Sequence, residues 1–374
     1  VAAALLVVSS PAVAAPQVQD VGTPAGAFSW LRDMNADGSV ALGAYRIGSQ
    51  PTVLFSWTED LGLRPLDATG AAEINAGVLS ANGLFAAGAS RAVVPGPGEA
   101  AIWSTITGAR TDLGQLPGGL PNSIASFVSD DGATALGQAT DATNRPEAFR
   151  WTQAGGMQSL GSLGAPDTFI SSINRDGSVA VGYGTMVPEG PRIATHWSLS
   201  GGLQVIPGLP PGVMASSTSR LVSGDGRYVF GNVSADFPTG GFFYHDALLG
   251  TTLTQAAAGF GANHFALFMS KDGLTILMSD TSTVPRSYFL WEPATGATTT
   301  VDQSGEHTWN RISEDGSALS GFRQVLATQG PVRWTASGGI ERLVTLGGPF
   351  PSDMEITADG STCLLYTSPS PRDH

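Results

Sequence analysis

A chain-reversing dipeptide, Asp-Gly or Asn-Gly, returns eight times at intervals of 43–49 residues: Asp37-Gly38, Asn82-Gly83, Asp131-Gly132, Asp176-Gly177, Asp225-Gly226, Asp272-Gly273, Asp315-Gly316 and Asp359-Gly360. Aromatic residues keep the same period in a second phase, at Trp57, Trp103, Trp151, Trp197, Tyr244, Trp291 and Trp334. Two markers advancing together define a repeat. A period of that length confines the chain to units that bury their apolar faces only against their neighbours.

One copy shows the plan of the unit. Thr168-Phe169-Ile170-Ser171-Ser172-Ile173 runs into the turn at Asp176-Gly177, and Ser178-Val179-Ala180-Val181-Gly182 leads out. β-Branched and apolar residues on both sides of an Asp-Gly step read as a β-hairpin. A second hairpin precedes it, with Glu147-Ala148-Phe149-Arg150-Trp151 as one strand, Gln153 to Gly156 as the turn and Met157-Gln158-Ser159-Leu160 as the other. Four short strands per period describe the blade of a β-propeller. Composition agrees: with 49 Gly and 24 Pro in 374 residues long helices are disfavoured, while a 42% apolar share supplies a core. The expected fold is all-β, a propeller of seven to eight four-stranded blades with the last one incomplete. Val18-Gln19-Asp20-Val21-Gly22 matches Met157 to Gly161 in its distance from the following turn, so this N-terminal strand is expected to complete the final blade and cover its edge. The same alignment places Trp30 with Phe169 and makes Ala27-Phe28-Ser29-Trp30 a look-alike of the Trp-bearing strand.

Three segments are expected. Residues 1–14 read as the remnant of a secretory signal peptide, with an apolar run Val1 to Val8 and an Ala12-Val13-Ala14 cleavage motif before Ala15. Residues 15–362 form the single repeat domain. Residues 363–374, beginning Cys363-Leu364-Leu365-Tyr366-Thr367-Ser368-Pro369, resemble the translation of a sequencing-library adapter, which would make Cys363, the one cysteine, foreign to the domain.

The string Glu147-Ala148-Phe149-Arg150-Trp151, with Gly155-Gly156-Met157 and then Ile173-Asn174-Arg175-Asp176-Gly177-Ser178-Val179-Ala180-Val181-Gly182-Tyr183, resembles the HAF extracellular repeat of bacteria. The chain departs from the eponymous His-Ala-Phe: Glu147 stands for the His, and other copies read Leu54-Phe55-Ser56-Trp57 or Thr195-His196-Trp197. The resemblance covers about residues 16–362 and is weakest around Phe242 to Ala266. It implies a secreted or surface-attached protein and brings no catalytic residues.

Chemistry-bearing motifs are sparse. The Asp-Gly turns lack the alternating oxygen ligands of a calcium loop and read as turns held by the Asp side chain. The Trp series, one per period, reads as packing between blades rather than sugar platforms. His196, His245, His264, His307 and His374 show no zinc-ligand spacing. His245-Asp246 beside Tyr244 is the most unusual local cluster, and Gly259-Phe260-Gly261 lacks the strand-loop-helix context of a nucleotide site. No Gly-x-Ser-x-Gly elbow occurs. The expectation is therefore no catalytic, cofactor or metal residue. With a net charge of −13 and Lys271 as the one lysine, nucleic acid is excluded as a partner. No segment beyond the leader is apolar enough for a membrane helix. The sequence leaves two main functional classes, a monomeric, exported binding or adhesion propeller for a glycan or surface protein, with an autotransporter passenger among its forms, or a polysaccharide-acting enzyme with carboxylates near the central channel, and a passive passenger stalk on the cell surface as a minor third.

Overall fold

The computed structural model describes residues 5–9, 24, 27–35, 37–70, 73–93, 96–165, 167–209, 216–234, 241–255, 258–261, 263–325, 329–343, 351–357, 360 and 362–367. Val18 to Gly22 lie outside them. The fold is an all-β propeller. Among the described residues it has seven four-stranded antiparallel sheets, each built from consecutive strands, and one three-stranded sheet. The blades span 27–65, 73–112, 120–159, 168–205, 216–254, 264–302 and 307–342. The three-stranded sheet joins Leu5–Ser9 to Thr362–Thr367 and the latter to Pro351–Ile356. Leu5–Ser9, within the segment that reads as a leader, thus forms a β-strand.

The chain forms two compact units. The first holds blades 1, 2 and 7, the three-stranded sheet and the turn 130–132; the second holds the rest of blade 3 and blades 4 to 6. In each, the turn is a fixed hydrogen-bonded device. The turn Asp accepts the amide N–H two residues on, as in Asp37 with Ser39 (2.9 Å), Asp176 with Ser178 (2.9 Å) and Asp272 with Leu274 (2.9 Å). Two residues before it, a buried Ser or Asn accepts the N–H that starts the second strand: Asn35 from Val40, Ser80 from Phe85, Ser223 from Tyr228, Ser313 from Ala318. The motif is therefore [Ser/Asn]-x-[Asp/Asn]-Gly. These bonds hold the carboxyls of Asp37 and Asp176 below the ordinary carboxylate range, the Ser39 and Ser178 hydroxyls contributing most.

The turn also seals one blade to the next. Gly226, in blade 5, has φ +80°, and a Cβ there would meet Val179 and Asn174 of the blade 4 turn at 2.8 and 3.0 Å. Gly83 approaches Val40 and Asn35 in the same way, and Gly273 approaches Tyr228 and Ser223. Backbone bonds link the turns directly in the second unit, from Arg175 N–H to the Gly224 carbonyl (3.1 Å) and from Gly224 N–H to that of Lys271 (2.5 Å).

Every blade carries a β-bulge at one position of its first strand, between Leu31 and Asp33 in blade 1 and between Ile170 and Ser172 in blade 4. The glycine six residues after the turn Asp lies beneath the bulge in six blades, as Gly43, Gly88, Gly137, Gly182, Gly231 and Gly321. At Gly182 a Cβ would collide with the Phe169 carbonyl oxygen, which side-chain adjustment cannot relieve. In blade 6 Met278 occupies this place.

Three of the recurring tryptophans pack between blades. Trp103 of blade 2 is fully buried among Val40, Leu42 and Leu54 of blade 1, its indole N–H bound to the Asp67 carbonyl at 2.9 Å. Trp197 joins Leu136 and Ala148 of blade 3, and Trp291 joins Phe230 and Phe242 of blade 5. Strand register corrects one assignment. The recurring Trp pairs with the residue four after the turn Asp, as Trp197 does with Ala180; in blade 5 that residue is Val229, and its partner is His245, not Tyr244. A one-residue offset transfers a side chain to the other face of the sheet. Tyr244 accordingly points toward blade 6, where its hydroxyl donates to the Gly273 carbonyl (2.8 Å) and its ring meets Trp291 edge-on.

His245 enters the interface with blade 4, on the face that carries Val229 and Phe243 into a shared core with Val181 and Ala194. His196, on the blade 4 side, is close enough for the two rings to interact electrostatically. The Thr252 hydroxyl donates to the Pro207 carbonyl (2.6 Å), so it accepts from His245 Nδ1 (2.9 Å) and fixes the neutral tautomer with hydrogen on Nδ1. Burial lowers the pKa of both histidines, and His245 lowers that of His196 further.

This packing sets the cost of particular substitutions. Gly182→Ala should cost about 2–4 kcal/mol of stability through the collision with a backbone carbonyl. Gly77→Ser, at an exposed bulge position open to 4 Å where blade 3 already has Ser126 and blade 4 Ser171, should change stability by less than ~1 kcal/mol; denaturant melts check both. For the histidines, the unfolded chain takes up protons first as pH drops below the ordinary 6.5. Stability is therefore full above that pH and is lost as acid carries the protein down through the lowered folded values. Calorimetry between pH 7.5 and 5 should show the melting temperature falling more in the wild type than in H196S/H245W, which restores the Trp and sets opposite it the serine that blade 1 has at Ser56.

Candidate ligand-binding strip on blade 1

A repeat separates residues that hold blades together from residues that do something else, because the first kind recurs. Nine residues before the turns of blades 2 to 7 the first strand or its approach carries a polar side chain: Glu73, Asn122, Asp167, Ser216, Asn263 and Glu306. Blade 1 has Phe28 there, 50% exposed. The polar residues bind within their own blades or to a neighbour: Glu73 to Arg91 (2.9 Å), Asn122 to Thr140 (3.2 Å), Asp167 to Arg145 (3.0 Å) and Glu306 to Arg323 (2.7 Å). Phe28 has no such duty.

Three further side chains extend the strip along Ala27–Met34 and its partner strand. Alternation puts Phe28 and Trp30 on one face, their ring centroids 5.7 Å apart and tilted by 43°. Trp30 rests against the core between blades 1 and 2, which fixes its ring. The strand register sets Trp30 opposite Ala44 and Phe169 opposite Tyr183, both seven residues before their turns. Arg32, the bulge residue, places its guanidinium 5.7 Å from the Trp30 ring. Arg46 lies directly across from Phe28. In blade 2 the same cross-strand positions hold Glu73 and Arg91, which form an ion pair. Blade 1 thus keeps the arginine and replaces its carboxylate by a half-exposed ring. Among the described residues beside it, Asp33 accepts from Leu79 N–H (2.6 Å) and Glu73 is held by Arg91.

The second unit has a related cluster in blade 4, where Phe169 and Tyr183 stack at 4.8 Å and the Arg192 guanidinium lies 4.6 Å over Tyr183. Burial raises the Tyr183 pKa, so the phenol is neutral and presents a ring. Arg145 and Asp167 pair beside it.

The remaining sequence-marked residues serve structure. Asp246 takes two bonds from Arg227 (3.0 and 2.7 Å) and the N–H groups of Leu248 and Leu249, which lowers its pKa. Phe260 packs against Phe242, Phe289 and Trp291. His264 stands 3.9 Å from Asp280 and beside Phe260, and His307 is buried against Trp309. Among the described residues no three His, Cys, Asp or Glu side chains are grouped as metal ligands. A cleft of about 520 Å³ between the hairpin Thr58 to Leu61 and Ile106 has Trp57, a core residue, as its floor. Cys363 pairs with Ile356 in the three-stranded sheet, while His374 lies outside the described residues. No helix among the described residues is long and apolar enough to cross a membrane.

No family model and no curated protein matches the sequence. Solved structures do. A prolyl endopeptidase studied for inter-domain dynamics in catalysis and specificity superposes with a TM-score of 0.58 at 12% identity, over 91% of this chain and 54% of its own. Prolyl oligopeptidase B from Galerina marginata gives 0.56 at 10% identity, over 91% and 55%. The β-propeller domain of the Trilobed protease from Pyrococcus furiosus, described as having an open velcro topology, gives 0.52 at 10% identity, over 86% and 97%. The chain spans about half the length of the first two and nearly all of the third, and at these identities the likeness is one of fold.

Proposed function

We propose that this chain is a non-enzymatic binding propeller of an exported or surface-attached bacterial protein, with the strip of Phe28, Trp30, Arg32 and Arg46 as its ligand contact. The observation that carries this reading is Phe28, a half-exposed ring at a position that is polar in the other six blades. An exposed ring beside a half-buried one that the core holds in place offers stacking area at little entropic cost. The HAF-like repeat and the leader-like N-terminus support the location, and the acidic balance speaks against nucleic acid as the ligand. Carbohydrate is the ligand class that flat, exposed rings on a β-surface suit best, and no partner copy is required.

The alternative of a polysaccharide-acting enzyme is weakened by the first-strand carboxylates. Acid–base catalysis needs a free carboxyl pair, whereas Glu73, Asp167 and Glu306 are each held by arginine and Asp33 by a backbone amide. The peptidase likeness favours a second reading, in which the propeller is the non-catalytic part of a longer hydrolase.

A glycan array and a reducing-end assay on the full chain separate these readings. Binding without release of reducing ends, reduced ~3–10-fold by Phe28→Ser while the melting temperature is unchanged, is the expected outcome. Release of reducing ends, or binding indifferent to Phe28→Ser, would overturn the proposal. Retention of proline-containing peptides in place of glycans would favour the hydrolase-domain reading.

A further inference from the structure

The strip also names the charge of its ligand. We infer that it recognises an acidic sugar, a pyranose ring bearing a carboxylate, with Arg46 and Arg32 taking the carboxylate and Phe28 and Trp30 the ring; this rests on the binding reading above. Blade 2 supplies the template. There Arg91 and Glu73, at the cross-strand positions of Arg46 and Phe28, meet at 2.9 Å. In blade 1 the arginine is retained and exposed, its carboxylate is gone, and a stacking surface stands in the vacated place. A ligand carboxylate at Arg46 would repeat the blade 2 ion pair with the acid supplied from outside.

Arg32 strengthens the case. It sits on the unpaired residue of the bulge, which turns its side chain out of the strand ladder, and it lies at the Trp30 ring. Other arginines of this acidic chain are committed within the fold: Arg91, Arg110, Arg145, Arg227 and Arg323 to carboxylates. Two guanidiniums flanking two tilted rings provide what a uronate presents, an apolar face of C–H groups and a planar anion suited to the guanidinium fork.

Calorimetric titration of the full chain with a short oligogalacturonate and with its methyl ester tests the inference, because the ester keeps the ring and removes the charge. The acid should bind at least ~10-fold more tightly than the ester, with the advantage shrinking as salt is raised. R32A/R46A should erase that difference, the acid falling to the affinity of the ester. Phe28→Glu should erase acid binding by rebuilding the blade 2 pair internally, and it should melt at or above the wild-type temperature. Equal affinity for acid and ester, or acid binding that survives R32A/R46A, would overturn the inference. A neutral glycan bound in a Phe28-dependent way would overturn it while leaving the binding propeller standing. Displacement of the oligogalacturonate by a ringless polysulfonate at equal charge would reduce the site to plain anion attraction and overturn the part assigned to the rings.

Discussion

The blades are held by a turn that makes bonds in two directions. Within its own hairpin the buried Ser or Asn and the turn Asp accept the N–H groups that a reversing backbone would otherwise leave unpaired, as Ser313 and Asp315 do for Ala318 and Ser317. Outward, its glycine lies on the corresponding Ser or Asn and the first second-strand residue of the preceding blade, as Gly226 lies on Asn174 and Val179. A side chain on that glycine would press on the neighbouring blade, and loss of the Asp would leave the hydroxyl of a buried serine, such as Ser223 or Ser313, without its acceptor. The Asp-Gly step is both a turn signal and an inter-blade contact, which explains why it keeps its period while the loops at the other end of each blade vary in length.

Much of this was legible in the chain itself. Strand number, hairpin order and the packing role of tryptophan depend on period-2 alternation and on turn chemistry, both local in sequence. The glycine six residues after the turn was equally visible, yet its cause lies in another strand: the bulge carbonyl of Phe169 above Gly182. The buried Ser or Asn two residues before the Asp recurs plainly too, but only its hydrogen bond to a residue five positions on shows that it belongs to the turn. At Tyr244 the aromatic type suggested equivalence with tryptophan, and the strand register gave that place to His245.

The strip was harder to see because its residues break the pattern instead of keeping it. Ala27-Phe28-Ser29-Trp30 resembles the strand before the recurring Trp closely enough to be set aside as coincidence, and aligning the blades on their turns removes that confusion. Phe28 then falls among Glu73, Asp167 and Glu306, and Arg46 falls opposite it as Arg91 falls opposite Glu73. The exchange of a paired carboxylate for an exposed ring can be found in sequence only after the register is known. Exposure decides whether it matters, since a buried Phe would have been one more core residue.

A net charge of −13 and a site for an anion are compatible because they act over different distances. At physiological ionic strength charges more than about 8 Å apart are largely screened, so the diffuse acidity of the chain repels a small anion only weakly. A guanidinium in contact with a carboxylate is screened far less. A nucleic acid must lay many phosphates along a surface and meets that acidity throughout its length. A single acidic ring meets only the strip, where Arg91 already neutralises Glu73 and the Leu79 amide holds Asp33. The selectivity of such a site then depends on how firmly Trp30 is fixed, since a ring seated against the core between two blades can orient the sugar before either arginine engages it.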